Sequence, residues 1–165
     1  MANDESLRLS ENIRQKVEEM KQLCEGLDEE TASREPADKW SPKQIISHLC
    51  GPEGADFTIT IKKILEHDTP LVDIDPGNPF FSKSRSQMSM SGLLSYFEKR
   101  YNRIAASIAG LSKDQLARKA HVPAFKEAPM GEYLTLAELI RIMGVKHVES
   151  HMIHMREVLQ ELGKK

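Results

Sequence analysis

The stretch from Leu136 to Leu162 constrains the fold more than any other part of the chain. Leu136, Ile140, Met143, His147, His151, His154, Val158 and Leu162 are separated only by threes and fours, the spacing that keeps side chains on one face of an α-helix. Thr135 with Glu138 three residues later reads as a capping box at its start, and Gly163 ends it. A long helix with one apolar stripe is stable only when other helices cover that stripe. The rest of the sequence supplies them. Ile13, Val17, Met20, Cys24 and Leu27 form one such stripe, closed by Gly26 and the polar run from Asp28 to Asp38. Leu94, Phe97, Tyr101, Ile104 and Ile108 form another, in a helix from about Ser89 to Ala109 stopped by Gly110.

A further helix opens at Ser41-Pro42-Lys43-Gln44, where serine caps, proline sits at the first helical position and glutamine completes a capping box. Ile45, Ile46 and Leu49 begin its apolar face, which Phe57, Ile61, Ile64 and Leu65 resume as far as His67. Pro52 has no amide hydrogen to offer the carbonyl of His48, so a kink is expected beside His48. Asp68 to Ser86, with Pro70, Pro76, Gly77 and Pro79, reads as a long loop. His121 to Met130, with Pro123 and Pro129, reads as another, and Ser112 with Gln115 caps a short extra turn between helices. The expected architecture is all-α, a helical bundle in a single domain over residues 1–165.

Composition narrows the function classes. Hydrophobic residues are 39% and charged residues 29% of the chain, an ordinary balance for a globular domain. A formal net charge of −2 offers no basic field for phosphates, so nucleic acid is not an expected partner. The start, Met-Ala-Asn-Asp-Glu-Ser, is polar and acidic rather than signal-like. No run approaches the roughly 18 apolar residues of a membrane span. A cytoplasmic location with no membrane partner is therefore expected. The two cysteines, Cys24 and Cys50, have no metal-site or disulfide spacing and read as buried thiols.

The histidines carry the chemical signal. His147 and His151 are one turn apart, which puts their Cβ atoms about 6 Å from each other, a spacing suited to two imidazoles on one metal ion. His48, following Ile45 on another helix, is the best candidate for a third ligand. Three neutral imidazoles leave a coordination position open. A purely structural alternative treats all three as core histidines, but unpartnered imidazoles among aliphatic neighbours cost about 1–3 kcal/mol each. The zinc-protease pattern is absent, because Val148 rather than glutamate follows His147 and Glu149 lies about 200° around the helix. Paired Glu-x-x-His segments for a di-iron bundle are also absent. Cys50, two residues past His48, is rotated away. His154 sits one turn along the stripe as an alternative ligand, a neighbour of the ligands or a proton-transfer group, and His67 and His121 read as solvated or loop residues.

Trp40-Ser41-Pro42-Lys43-Gln44-Ile45-Ile46-Ser47-His48-Leu49, together with Gly131-Glu132-Tyr133-Leu134-Thr135-Leu136 leading to His147-Val148-Glu149-Ser150-His151-Met152-Ile153-His154, resembles the DinB/YfiT-like superfamily. Leu111-Ser112-Lys113-Asp114-Gln115-Leu116 resembles the segment that follows its third helix. The resemblance implies an up-down-down-up four-helix bundle, with long loops after the second and third helices. It also implies a three-histidine site falling on His48, His147 and His151, holding a divalent metal, nickel or zinc foremost. The implied activity is that of a metal-dependent thiol S-transferase or hydrolase acting on a small-molecule substrate, with a low-molecular-weight thiol as a possible partner and a homodimer as a possible assembly. The alternative is a non-catalytic metal- or ligand-binding stress-response bundle. Gly51-Pro52-Glu53-Gly54 departs from the smooth helix usual there.

Overall fold

The structure, a computed structural model, describes residues 3–163; the first two residues of the polar N-terminal stretch lie outside it. Helix α1 spans Asp4–Leu23, entered through a capping box of Asn3 and Ser6. A short helix α2, Glu29–Ser33, forms inside the polar connection because Asp28 caps it through the Thr31 amide. Helix α3, Pro42–Cys50, begins with the capping box of Ser41 and Gln44. Helices α4, Phe57–Glu66, and α5, Lys83–Ser86, precede the long α6, Met90–Ala109, and the one-turn α7, Lys113–Leu116. Strands β1, Lys119–His121, and β2, Tyr133–Thr135, pair antiparallel. The final helical run is α8, Leu136–Ile140, a π-helical segment Arg141–Lys146, and α9, His147–Glu161.

Several expectations change here, among them the loop from Asp68 to Ser86, whose last residues form α5. The helix through Pro52 breaks instead of kinking: Gly51 takes φ 74°, ψ −172°, and Asp56 starts a new helix by capping the Thr58 amide. An L-residue is strained in that backbone region, so glycine stops α3 while proline blocks its continuation. The stretch from His121 to Met130 is not simply loop, since it begins in β1 and contains a 3₁₀ turn at Pro123–Phe125. Strand β1 also receives the connection after α4: the Val72 amide donates to the His121 carbonyl, and the His121 amide donates to that of Pro70.

The π-helical segment shifts the stripe of the last helix. Each π turn takes in about one residue more than an α turn, so the line of residues facing the core moves by about one position. In α9 the buried line is Val148, Met152 and Met155, each one residue beyond a histidine, and His147, His151 and His154 are half-buried on its flank. Gly144 lets this segment pack closely on α1, because a Cβ there would lie 2.9 Å from Ile13 Cδ1.

Helix α1 packs against α6 and α9, and α3 packs against the same two. The principal helices thus form a ring in which α1 and α3 are diagonal. Phe97, Met20, Ile45, Ile46, Leu93 and Ile108 fill its centre, each with essentially no exposure. Among the described residues no helix is long and apolar enough to cross a membrane.

Candidate metal centre

Helix α3 delivers His48 from its last turn and α9 delivers His147 and His151 from its first two. The structure brings these three together, with one ring nitrogen from each lying within 4.8 Å of the others. His48 Nε2 is 2.9 Å from His147 Nε2, and the rings of His147 and His151 meet edge to face at 4.7 Å between centroids. On the far side of its ring, His48 Nδ1 lies 2.6 Å from the Asn78 carbonyl oxygen. A carbonyl only accepts, so the His48 proton sits on Nδ1 and the Nε2 lone pair faces the other histidines.

The donor set fits a divalent cation. Imidazole nitrogens bound to one metal at about 2.0–2.1 Å lie about 2.9–3.4 Å apart for right-angled to tetrahedral geometry, a range that includes the His48–His147 separation. The imidazoles are neutral at ordinary pH. Burial, reinforced by the charge of His48, pushes His147 down to about 4. Burial and the neighbouring His147, His48 and His154 push His151 down to about 3. His48 is lowered by burial, against the pull of the Asn78 carbonyl and Asp75. Metal ligation requires neutral imidazole, so no deprotonation stands in its way.

Several residues that hold the site carry no signal in the sequence. Trp40, just before the α3 cap, stacks on His151 at 6.2 Å and lies within 5.0 Å of His48, centroid to centroid. Phe80 stacks on His48 at 6.1 Å. The Phe80 backbone is left-handed, with φ 50°, and its carbonyl accepts from Ser47 Oγ at 2.9 Å and from Arg85 Nη1 at 3.1 Å. Arg85, only 2% exposed, also donates to the carbonyls of Ser47 and Gly51. One guanidinium thus ties the end of α3 to the strap that carries Asn78 and Phe80.

The remaining candidates lie outside the cluster. His154 Nδ1 is 3.3 Å from His151 Nδ1, so it contacts a member of the triad without joining it. Cys50 is buried, and burial pushes its thiol up to about 12. Glu149 faces Lys146 at 3.7 Å. His67 uses its carbonyl to accept from Arg118, and His121 pairs with Glu132 at 2.6 Å and stacks on Tyr133.

A cavity of about 620 Å³ adjoins the triad, with His48 and His147 in its wall. The break between α3 and α4, helix α6, the strap from Val72 to Phe80 and the π-helical segment enclose it. Its size is that of a small-molecule pocket.

The fold has a counterpart among solved structures. YfiT from Bacillus subtilis, described as a probable metal-dependent hydrolase with an unusual four-helix bundle topology, superposes with a TM-score of 0.77 at 20% identity, covering 100% of this chain and 91% of that one. No curated protein matches the sequence. The profile of the DinB superfamily matches residues 12–155, a span that holds all three clustered histidines, and the chain belongs to that superfamily.

Proposed function

We propose that His48, His147 and His151 hold one divalent metal ion, nickel or zinc, and that the protein is a metal-dependent hydrolase of a small-molecule substrate. The observation that carries this is the convergence of three neutral ring nitrogens within 4.8 Å, one of them with its tautomer set by the Asn78 carbonyl, beside a cavity of about 620 Å³. Imidazole donors suit both metals. The description of YfiT as a probable metal-dependent hydrolase supports the same reading.

When bound, the ion supplies Lewis acidity, which lowers the pKa of a coordinated water or thiol. The protein's residues do the rest. His48 and His147 present their Nε2 atoms at the cavity wall, Asn78 keeps the His48 proton on the outer nitrogen, and Trp40 and Phe80 pack against the His48 ring and hold its orientation. His154, in contact with His151, is placed to accept or relay a proton. A thiol S-transferase is the second reading, favoured by a cavity large enough for two small reactants. The finer architecture that goes with this assignment is an up-down-down-up order of the principal helices, with a homodimer as the assembly.

Elemental analysis of untagged protein tests the centre. One equivalent of metal per chain is expected after supplying nickel or zinc, and its loss in both His48→Ala and His151→Ala. Metal retained unaltered by both variants removes the ligand assignment. Ester and thiol-transfer assays, each with and without chelator, then separate the two chemistries; turnover that persists after the metal is stripped contradicts both.

A further inference from the structure

Arg100 lines the cavity on the α6 side and is 6% exposed. Among the described residues no carboxylate forms an ion pair with it. Glu53 lies against Arg85 at 3.8 Å, and Asp56 is bound to Arg103 at 2.7 Å. Burial works against ionised Asp56, yet the Thr58 hydroxyl and amide, Arg103 and the more distant charge of Arg100 hold its carboxyl below the usual range. Each of these acids is paired to another arginine, which leaves Arg100 as the one of the three without an ion-paired carboxylate. A buried guanidinium without a counter-charge is costly, and a pocket that retains one is suited to an anionic ligand.

The donors of Arg100 are only partly used. Nη1 donates to the Tyr96 hydroxyl at 2.6 Å, and Nη2 donates to the carbonyls of Pro52 and Ala55. A guanidinium has five N–H groups, which leaves Nε–H and the second Nη1–H. Much of the rest of the wall is apolar, with Phe57, Ile74, Ile104, Phe125, Ile142 and Met143 in the lining. The histidine end carries both signs: Asp73 and Asp75 are exposed in the lining, the Asp75 charge reaches His48, and the exposed Lys146 lies next to His147. Arg100 is the buried positive charge of the lining, so an anion is drawn to its end of the cavity.

We propose that the cavity takes a small molecule with an apolar body and a single carboxylate, the carboxylate held by Arg100 and the opposite end presented to His48 and His147. This identifies the substrate class of the proposed metal centre. Only the placement of the reacting end rests on that centre; recognition of the acid by Arg100 does not.

Isothermal titration of the protein, before and after chelation, with 6-phenylhexanoate and with its methyl ester tests the proposal. The acid is expected to bind at least tenfold more tightly than the ester in both states. Arg100→Met should bring the acid down to the level of the ester, and Ile142→Trp, which fills the cavity from the π-helical segment, should abolish binding of both. Equal binding of acid and ester, no binding of either, or an acid preference that survives Arg100→Met overturns the inference. Should Arg100→Met fail to fold, the wild-type comparison and Ile142→Trp decide it. The metal assay is independent of this titration. Protein that binds metal but not the acid refutes the substrate class alone, and protein that binds the acid but no metal refutes the centre alone.

Discussion

At the scale of single residues, the neutrality of the triad sets the pH behaviour. His147 and His151 have pKa values near 4 and 3 in the folded protein, below the roughly 6.5 of an unfolded histidine. Between those values the unfolded chain binds more protons than the folded one, so stability rises with pH there. Metal-free protein should hold its full stability above about pH 6.5 and lose it progressively down to about pH 3, where His151 also protonates in the folded state. Thermal melts across that range check this, and His151→Ala should show a shallower decline. Arg85 gives a second prediction. Arg85→Met strips donors from the carbonyls of Ser47, Gly51 and Phe80 and should cost about 2–4 kcal/mol in urea unfolding. It should also weaken nickel or zinc binding, because the strap carrying Asn78 is released. The i, i+4 spacing of His147 and His151 was legible in the sequence, since it depends only on helix geometry. The place of His48 rested on a family resemblance. Arg85 was not legible, because nothing distinguishes an arginine in a polar connection from one that folds back beneath a helix end.

At the scale of elements, caps were the most readable features. Ser41 with Gln44 and Ser112 with Gln115 form reciprocal capping boxes. Thr135 caps the Glu138 amide, but the Glu138 carboxylate returns to the Thr135 hydroxyl at 3.1 Å rather than completing a box, as Thr135 is also the last residue of β2. Capping is local, so residue type and spacing reveal it. The helix break and the π-helical segment were less readable because tertiary packing decides them. Pro52 announced a disturbance, yet the outcome rested on Gly51 adopting a positive φ and Asp56 starting again. Gly51→Ala should therefore destabilise by about 1–3 kcal/mol in chemical denaturation. Gly144→Ala should destabilise by a similar amount, about 1–3 kcal/mol, through its clash with Ile13. Combining it with Ile13→Val should recover part of that loss, a coupling that a double-mutant cycle reads directly.

At the scale of the whole molecule, the site ties together segments that are distant in sequence. A metal ion bound by His48, His147 and His151 would bridge α3 and α9, two helices already packed on each other. Metal at 100 times its dissociation constant should stabilise the folded state by about 2.7 kcal/mol. Differential scanning fluorimetry with and without nickel or zinc reads this as a raised melting temperature, and His151→Ala should abolish the rise. The helical class was legible from periodicity, while the cavity was not, because its wall combines a helix break, a strap and a π-helical segment that no spacing rule connects.

The diagonal placement of α1 and α3 has a consequence for how the chain assembles. Helices that follow one another in sequence are usual neighbours in a bundle, so each new helix can dock on the last. Here α1 must wait for α6, and the ring closes only when α9 arrives between α1 and α3. During synthesis, then, the emerging chain exposes the apolar faces of α1 and α3 until its C-terminal segment is made. His147 and His151 lie on that same segment, so completion of the bundle and creation of the triad are one event. A chain truncated before α9 would lack both a closed core and the metal centre.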